Sequence, residues 1–175
     1  HISTVTFHDD SFLALPYKQL EEFAKLYKEK VRIPFVIGGV IPNYVREDKI
    51  ALLVDAGMNR VRMGIQSGSE NILEFYKRPT KLHRIKEATE ILNKFKKYMI
   101  PPSYDIILEN PVENSNDTRA TVDMIYEMPR PFTLNVYALR VIPNTLMAQD
   151  IEKKGLKVPA IDKNYYTGYH RTIGN

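Results

Sequence analysis

The strongest constraint on this chain is its rhythm. Short β-rich apolar runs alternate with longer segments whose apolar residues recur at helical spacing, and the pair repeats five times with no hairpin signal. The runs are residues 4–7, Phe35-Val36-Ile37, 61–65, 104–108 and 133–139. Residues 16–30, 43–57, the stretch after Gly68 up to Pro79, 81–98, the stretch from Asn116 or Asp117 to Pro129, and 144–154 read as helices. Strands joined only by helical crossovers must lie parallel. The expected class is therefore α/β, with parallel (β/α) repeats forming a partial, open TIM-like barrel. A five-stranded doubly wound sheet is the alternative. A complete eight-fold barrel needs about 250 residues, and this chain has 175.

Punctuation supports the elements. Gly57 suits a helix stop, Ser67 and Glu70 have capping-box spacing, and Pro101-Pro102 halts the longest helix. Residues 1–155 read as one barrel unit. Residues 156–175 show little periodicity; Tyr165, Tyr166 and Tyr169 suggest a packed loop or docking tail, or the start of an extension. The opening residues read as strand at once and lack a signal peptide's basic start. That suggests a piece of a longer protein, with residues 4–7 as an exposed edge able to pair in a homodimer.

Composition narrows the function classes. There is no cysteine, which excludes disulfides, thiolate metal sites and a cysteine nucleophile within this chain, and suits a cytoplasmic setting. No apolar run is long enough to cross a bilayer. The net charge of +4 comes largely from lysines on two helical segments, which read as solvated faces. Clustered arginines with interleaved aromatics, the footprint of nucleic-acid binding, are not evident. Neither a Ser-His-Asp arrangement, a phosphate-binding glycine loop nor a strand lysine for Schiff-base chemistry is visible, and the lone His8 reads as a packing residue.

In a parallel βα array all strand carboxyl ends share one rim, where such folds build ligand sites. The polar residues expected there are Asp9 and Asp10, Gly38 and Gly39, Gln66 and Ser67, Asp105 and Glu109, and Arg140. Arg78, twelve residues after Gln66, could return a guanidinium to the same mouth and grip a carboxylate with two bonds. Asp105 lies within a strand, where ribose hydroxyls are natural partners for an acidic side chain. Structural roles remain open for each: an ion pair or cap for Asp105, a loop contact for Gln66, an ion pair with Glu74 for Arg78. Asp9 and Asp10 point to opposite faces if extended, which disfavours chelation by both.

The ordered motifs Phe7-His8-Asp9-Asp10-Ser11-Phe12, Gly38-Gly39 to Pro42-Asn43, Gly64-Ile65-Gln66-Ser67-Gly68-Ser69-Glu70 with Tyr76-Lys77-Arg78, Asp105-Ile106-Ile107-Leu108-Glu109-Asn110-Pro111 and Val141-Ile142-Pro143-Asn144-Thr145 resemble the radical S-adenosylmethionine (SAM) superfamily, especially its cobalamin-linked branch. The resemblance implies a partial barrel holding SAM across its strand ends. It implies Gln66 and Arg78 on the methionine portion, Asp105 on the ribose, and Asp9 or Asp10 near the methionine amine. It also implies a [4Fe–4S] cluster on three cysteines, which this chain lacks, and cobalamin in the parent. The expected reading is the core of an enzyme that makes a 5′-deoxyadenosyl radical for methyl transfer or related chemistry on an unidentified small molecule, inactive as this chain alone. The alternative is a non-catalytic βα scaffold that binds a nucleotide-like ligand or a protein partner.

Overall fold

The computed structural model describes residues 2–78 and 80–156. Strands β1 (Val5–Phe7), β2 (Phe35–Val40), β3 (Met58–Gln66), β4 (Ser103–Leu108) and β5 (Thr133–Ala138) form one sheet. Every neighbouring pair is parallel, and the spatial order is β1-β2-β3-β4-β5. The helices are α1 (Tyr17–Lys30), α2 (Glu47–Asp55), α3 (Glu70–Phe75), α4 (Leu82–Lys94), α5 (Ser115–Glu127) and α6 (Leu146–Lys153).

The strand order separates the two expected architectures. A doubly wound sheet reverses its order at a switch point and so carries helices on both faces. Here the order runs one way, and crossovers of a single hand place the helices on one face. The fold is an open, partial barrel. No helix among the described residues is long and apolar enough to cross a membrane.

Strand alternation builds the core on the helical side. Phe35 and Ile37 of β2, Val61, Met63 and Ile65 of β3, and Tyr104 and Ile106 of β4 are buried there. They meet Leu20 and Ala24 of α1, Ile50 and Leu53 of α2, and Ile85, Ala88 and Leu92 of α4. The Phe35 ring anchors one end, with ring centroids of Phe7, Phe23 and Tyr27 at 5.6, 5.8 and 4.7 Å. Edge-on and tilted aromatic pairs of this kind add to simple area burial.

One buried charge holds the start of the fold. Lys49 of α2 is 6% exposed, and its Nζ donates to the carbonyls of Leu13 (2.6 Å) and Leu15 (2.8 Å). Those carbonyls end a short 3-10 turn, Phe12–Ala14, after β1. Burial lowers the Lys49 pKa, yet the two bonds keep the amine placed.

Several boundaries differ from the sequence-based expectation. The helix expected over 43–57 begins only at Glu47, because Pro42–Tyr44 form a separate 3-10 turn. The third strand starts at Met58 rather than at residue 61. Ser67 and Glu70 do not form a capping box: Ser69 occupies the N-cap of α3 without a side-chain cap bond, and the Ser67 hydroxyl accepts from the Ser69 amide instead. The capping box lies at α5, where Asn114, not Asn116 or Asp117, is the cap and Asp117 returns the second bond. The last helix begins at Leu146, capped by Thr145, because Asn144 takes a left-handed φ of 65°. The expectations for residues 157–175 and for Pro79 as a helix stop lie outside the described residues.

Phe35→Ala removes the ring at the centre of the aromatic group and should cost about 3–5 kcal/mol of unfolding free energy. Urea denaturation measures it, and a loss below about 1 kcal/mol would show that this end of the core does not depend on the ring.

Candidate functional site

The sheet face turned away from the helices is unusual for a barrel wall. Closed βα barrels fill their interior with layers of branched apolar side chains. In β3 the residues alternating with the buried set are Arg60, Arg62, Gly64 and Gln66. On β4 and β5 the same face carries Ser103, Asp105, Asn135 and Tyr137, next to buried Tyr104, Ile106 and Leu134.

These groups stitch three strands together. Asp105 accepts from Arg62 Nε (2.8 and 3.1 Å to its two oxygens) and from Asn135 Nδ2 (2.7 Å). Asn135 Nδ2 also donates to Ser103 Oγ at 2.8 Å. Arg62 Nη2 donates to the Tyr137 hydroxyl at 2.6 Å, and its guanidinium lies 5.9 Å from the Tyr137 ring centre. Burial raises the Tyr137 pKa, and the Asp105 charge adds to that while Arg62 opposes it. Asp105 therefore does form the ion pair that its sequence context left open, with Arg62 as partner.

Gln66 ends β3 in a left-handed conformation, φ 74°. Such a conformation is costly for a residue with a side chain and is found where surroundings impose it. The ladder slips here: Gly64 pairs with Asp105 but Gln66 pairs with Ile106. The slip folds the Gln66 amide back over Gly64, where an added Cβ would lie 2.5 Å from Nε2. A side chain at 64 would displace that amide from its seat. Because Gly64 is the ladder partner of Asp105, the Gln66 amide and the Asp105 carboxylate are brought to one face.

The turn after Gln66 is clipped to α5. Gly68 N donates to Thr121 Oγ1 at 2.9 Å, the buried Ser67 Oγ lies 3.1 Å from that same oxygen, and Ser69 Oγ donates to Asp117 Oδ1 at 2.5 Å. A Cβ on Gly68 would sit 2.6 Å from Thr121 Cα. The Ser67 hydroxyl is thus committed to α5. The Ser69 hydroxyl, and next the Asn114 amide, hold the Asp117 carboxyl below its usual value.

The remaining candidates stand apart from this network. Arg78 is exposed and forms no ion pair among the described residues, so the pair with Glu74 that its sequence context left open is not made. Its neighbours are fastened: the Tyr76 hydroxyl accepts from Asn110 Nδ2 (3.1 Å), and Lys77 Nζ lies 3.7 Å from Asp150 of α6. No hydrogen bond or ion pair joins Arg78 to Gln66 or Asp105 among the described residues. Asp9 and Asp10 are exposed just after β1, and no group of three metal-ligating side chains occurs among the described residues. Gly38 and Gly39 close the adjoining strand ends: a Cβ on Gly39 would lie 2.4 Å from the Asp9 carbonyl oxygen, and one on Gly38 3.6 Å from His8 Nδ1.

Arg60, Arg62, Asn135 and Tyr137 escaped the sequence reading, which attended to strand ends. The available signal was the period of two within β3 and β5, which assigns them to the face of Gly64 and Asp105.

A family model described as the Radical SAM superfamily matches residues 1–125. No curated protein matches the chain. Among solved structures, the coproporphyrinogen III oxidase HemN from Escherichia coli, a radical SAM enzyme, superposes with a TM-score of 0.72 at 19% identity, covering 91% of this chain and 37% of that one. The archaeal Elp3 of Methanocaldococcus infernus gives 0.63 at 19%, covering 87% and 40%. The radical SAM methyltransferase TsrM from Kitasatospora setae, with cobalamin and a [4Fe-4S] cluster bound, gives 0.69 at 16%, covering 87% and 29%. The chain spans less than half the length of each of these, and at such identities the likeness is one of fold.

Asp117 contributes stability that is full above its unfolded value of 3.8 and is lost as pH falls through its lower folded value. Asp117→Asn should lower unfolding free energy by about 1–2 kcal/mol near neutral pH. The difference from the unaltered chain should shrink as pH drops below 3.8. Urea titrations at neutral and acid pH check this; an equal gap at both would refute the ionised cap.

Proposed function

The chain belongs to the Radical SAM superfamily, and from that premise we propose that residues 1–155 are the SAM-binding core of an enzyme that cleaves SAM reductively, for radical methyl transfer or related chemistry on a small molecule. When bound, SAM supplies a sulfonium-activated adenosyl or methyl group. This chain's part is to bind and orient it. The observation that carries the reading is the Gln66 amide seated over Gly64, the ladder partner of Asp105, on a polar barrel face.

The residues present fit SAM. Asp105 takes a ribose hydroxyl: a carboxylate has about four acceptor sites, and the contacts from Arg62 and Asn135 leave one open. Gln66 offers a side-chain amide to the methionine end, and Gly38 and Gly39 keep the adjoining strand ends free of bulk. Arg78 has no side-chain partner among the described residues, so its planar fork can take the methionine carboxylate in two bonds. Asp9 or Asp10 lies on the same rim for the methionine amine.

The chain's residues do not fit a thiolate-held cluster, because it has no cysteine. By itself it binds SAM without cleaving it. The fold likeness to TsrM supports placing the chain with cobalamin-linked members; no residue here is assigned to cobalamin.

Calorimetry on the unaltered chain should detect SAM and S-adenosylhomocysteine without any cluster. Asp105→Asn and Arg78→Ala should each weaken binding by about tenfold or more, the worth of a charge-assisted bond. Absence of binding, or full affinity in both variants, refutes the assignment.

A further inference from the structure

We propose that the concave face of β3–β5 holds a second anion site, separate from the rim, in which Arg60, Arg62 and the Tyr137 hydroxyl recognise a carboxylate or phosphate group on the substrate. This rests on the reading above, in which SAM occupies the rim and Asp105, and it names the chemical class of the molecule acted on.

Charge is the first reason. Arg60 and Arg62 stand two residues apart on one strand face, about 6.6 Å between Cα atoms, and Asp105 is the one carboxylate bonded to either of them among the described residues. Arg60 donates from Nη2 to Thr133 Oγ1 at 3.3 Å, and its Nε is buried with no partner. A buried donor left unpaired is costly unless a ligand or water meets it. The acidic residues Asp9, Asp10 and Glu109 follow the ends of β1 and β4 and are not part of the strands that form this face. The face therefore carries net positive charge.

Arg62 is the second reason. Its Nε is spent on Asp105 and one Nη2 hydrogen on Tyr137. A guanidinium has five donors, so three remain. The side chain is 45% exposed. Asp105 grips it from one side, and its guanidinium carbon stands over the Tyr137 ring, 5.9 Å from the ring centre. A fork already immobilised loses little entropy on meeting a planar or tetrahedral anion. An ion pair serving stability alone has no need of an uncovered polar face, since apolar residues of similar volume stabilise such a position at least as well.

The test follows the Arg Nε–Hε resonances of the 15N-labelled chain during titration with inorganic phosphate and with glutarate. Sodium chloride at matched ionic strength is the control. Saturable shifts of the Arg60 and Arg62 resonances are expected, with about tenfold weaker binding in Arg60→Gln. Tyr137→Phe, which removes one hydroxyl and keeps the ring, should also weaken it. Preference for glutarate assigns a carboxylate substrate, and preference for phosphate a phosphorylated one. Shifts that merely track chloride, or anion affinity unchanged in both variants, overturn the proposal. SAM affinity is measured on the same unaltered chain. SAM binding without saturable anion shifts defeats this site alone, whereas anion binding without SAM binding defeats the rim assignment.

Discussion

A single packing constraint organises this molecule: every crossover between parallel strands turns the same way, so the sheet is dry on one side only. Once β1 to β5 stand in sequential order, the apolar stripes of the helices share one destination. Phe35, Val61, Met63 and Tyr104 fill that side, and nothing apolar is demanded of the other. The opposite face is free to carry arginine, aspartate and asparagine because it contributes little to the hydrophobic core. Stability and chemistry are thereby divided between the two sides of the same strands.

The polar face still has to be held in shape, and cross-strand bonds do that work. Asp105 ties β3 to β4 through Arg62 and β4 to β5 through Asn135. The same carboxylate is the group assigned to ribose. A side chain braced in this way is held in place by the sheet itself, and pre-placement of that kind limits the entropy a group loses on binding. Gln66 illustrates the cost of such placement. Its left-handed backbone is held by the β3–β4 slip on one side and the clip between Gly68 and Thr121 on the other. A buried polar network that is fully satisfied can sustain a local strain of this kind.

The rim is assembled differently. Tyr76 and Lys77 are tethered to the loop after β4 and to α6, and α6 itself packs through Ala148 and Ile151 against Phe75, Val112 and Leu139. Arg78 emerges from this bracket with its own charge unpaired among the described residues.

The alternation of apolar periods was legible in the sequence because strand and helix bury different faces, and it led to the parallel, open βα architecture. The position of Gln66 at the end of β3 was legible from the turn that follows it, whereas Gly38 and Gly39, read as closing a strand, lie inside β2. Helix starts were less so: Ser67 with Glu70 has the spacing of a cap, yet Thr121, more than fifty residues away, competes for the Ser67 hydroxyl. Only the tertiary structure could decide that contest, or show that Arg62 lies diagonally across from Asp105, or that the Gln66 amide occupies the space Gly64 leaves open. Periodicity is a local property that each segment carries by itself. Which polar atoms meet depends on ladder register and on the distance between strands that the chain separates by dozens of residues.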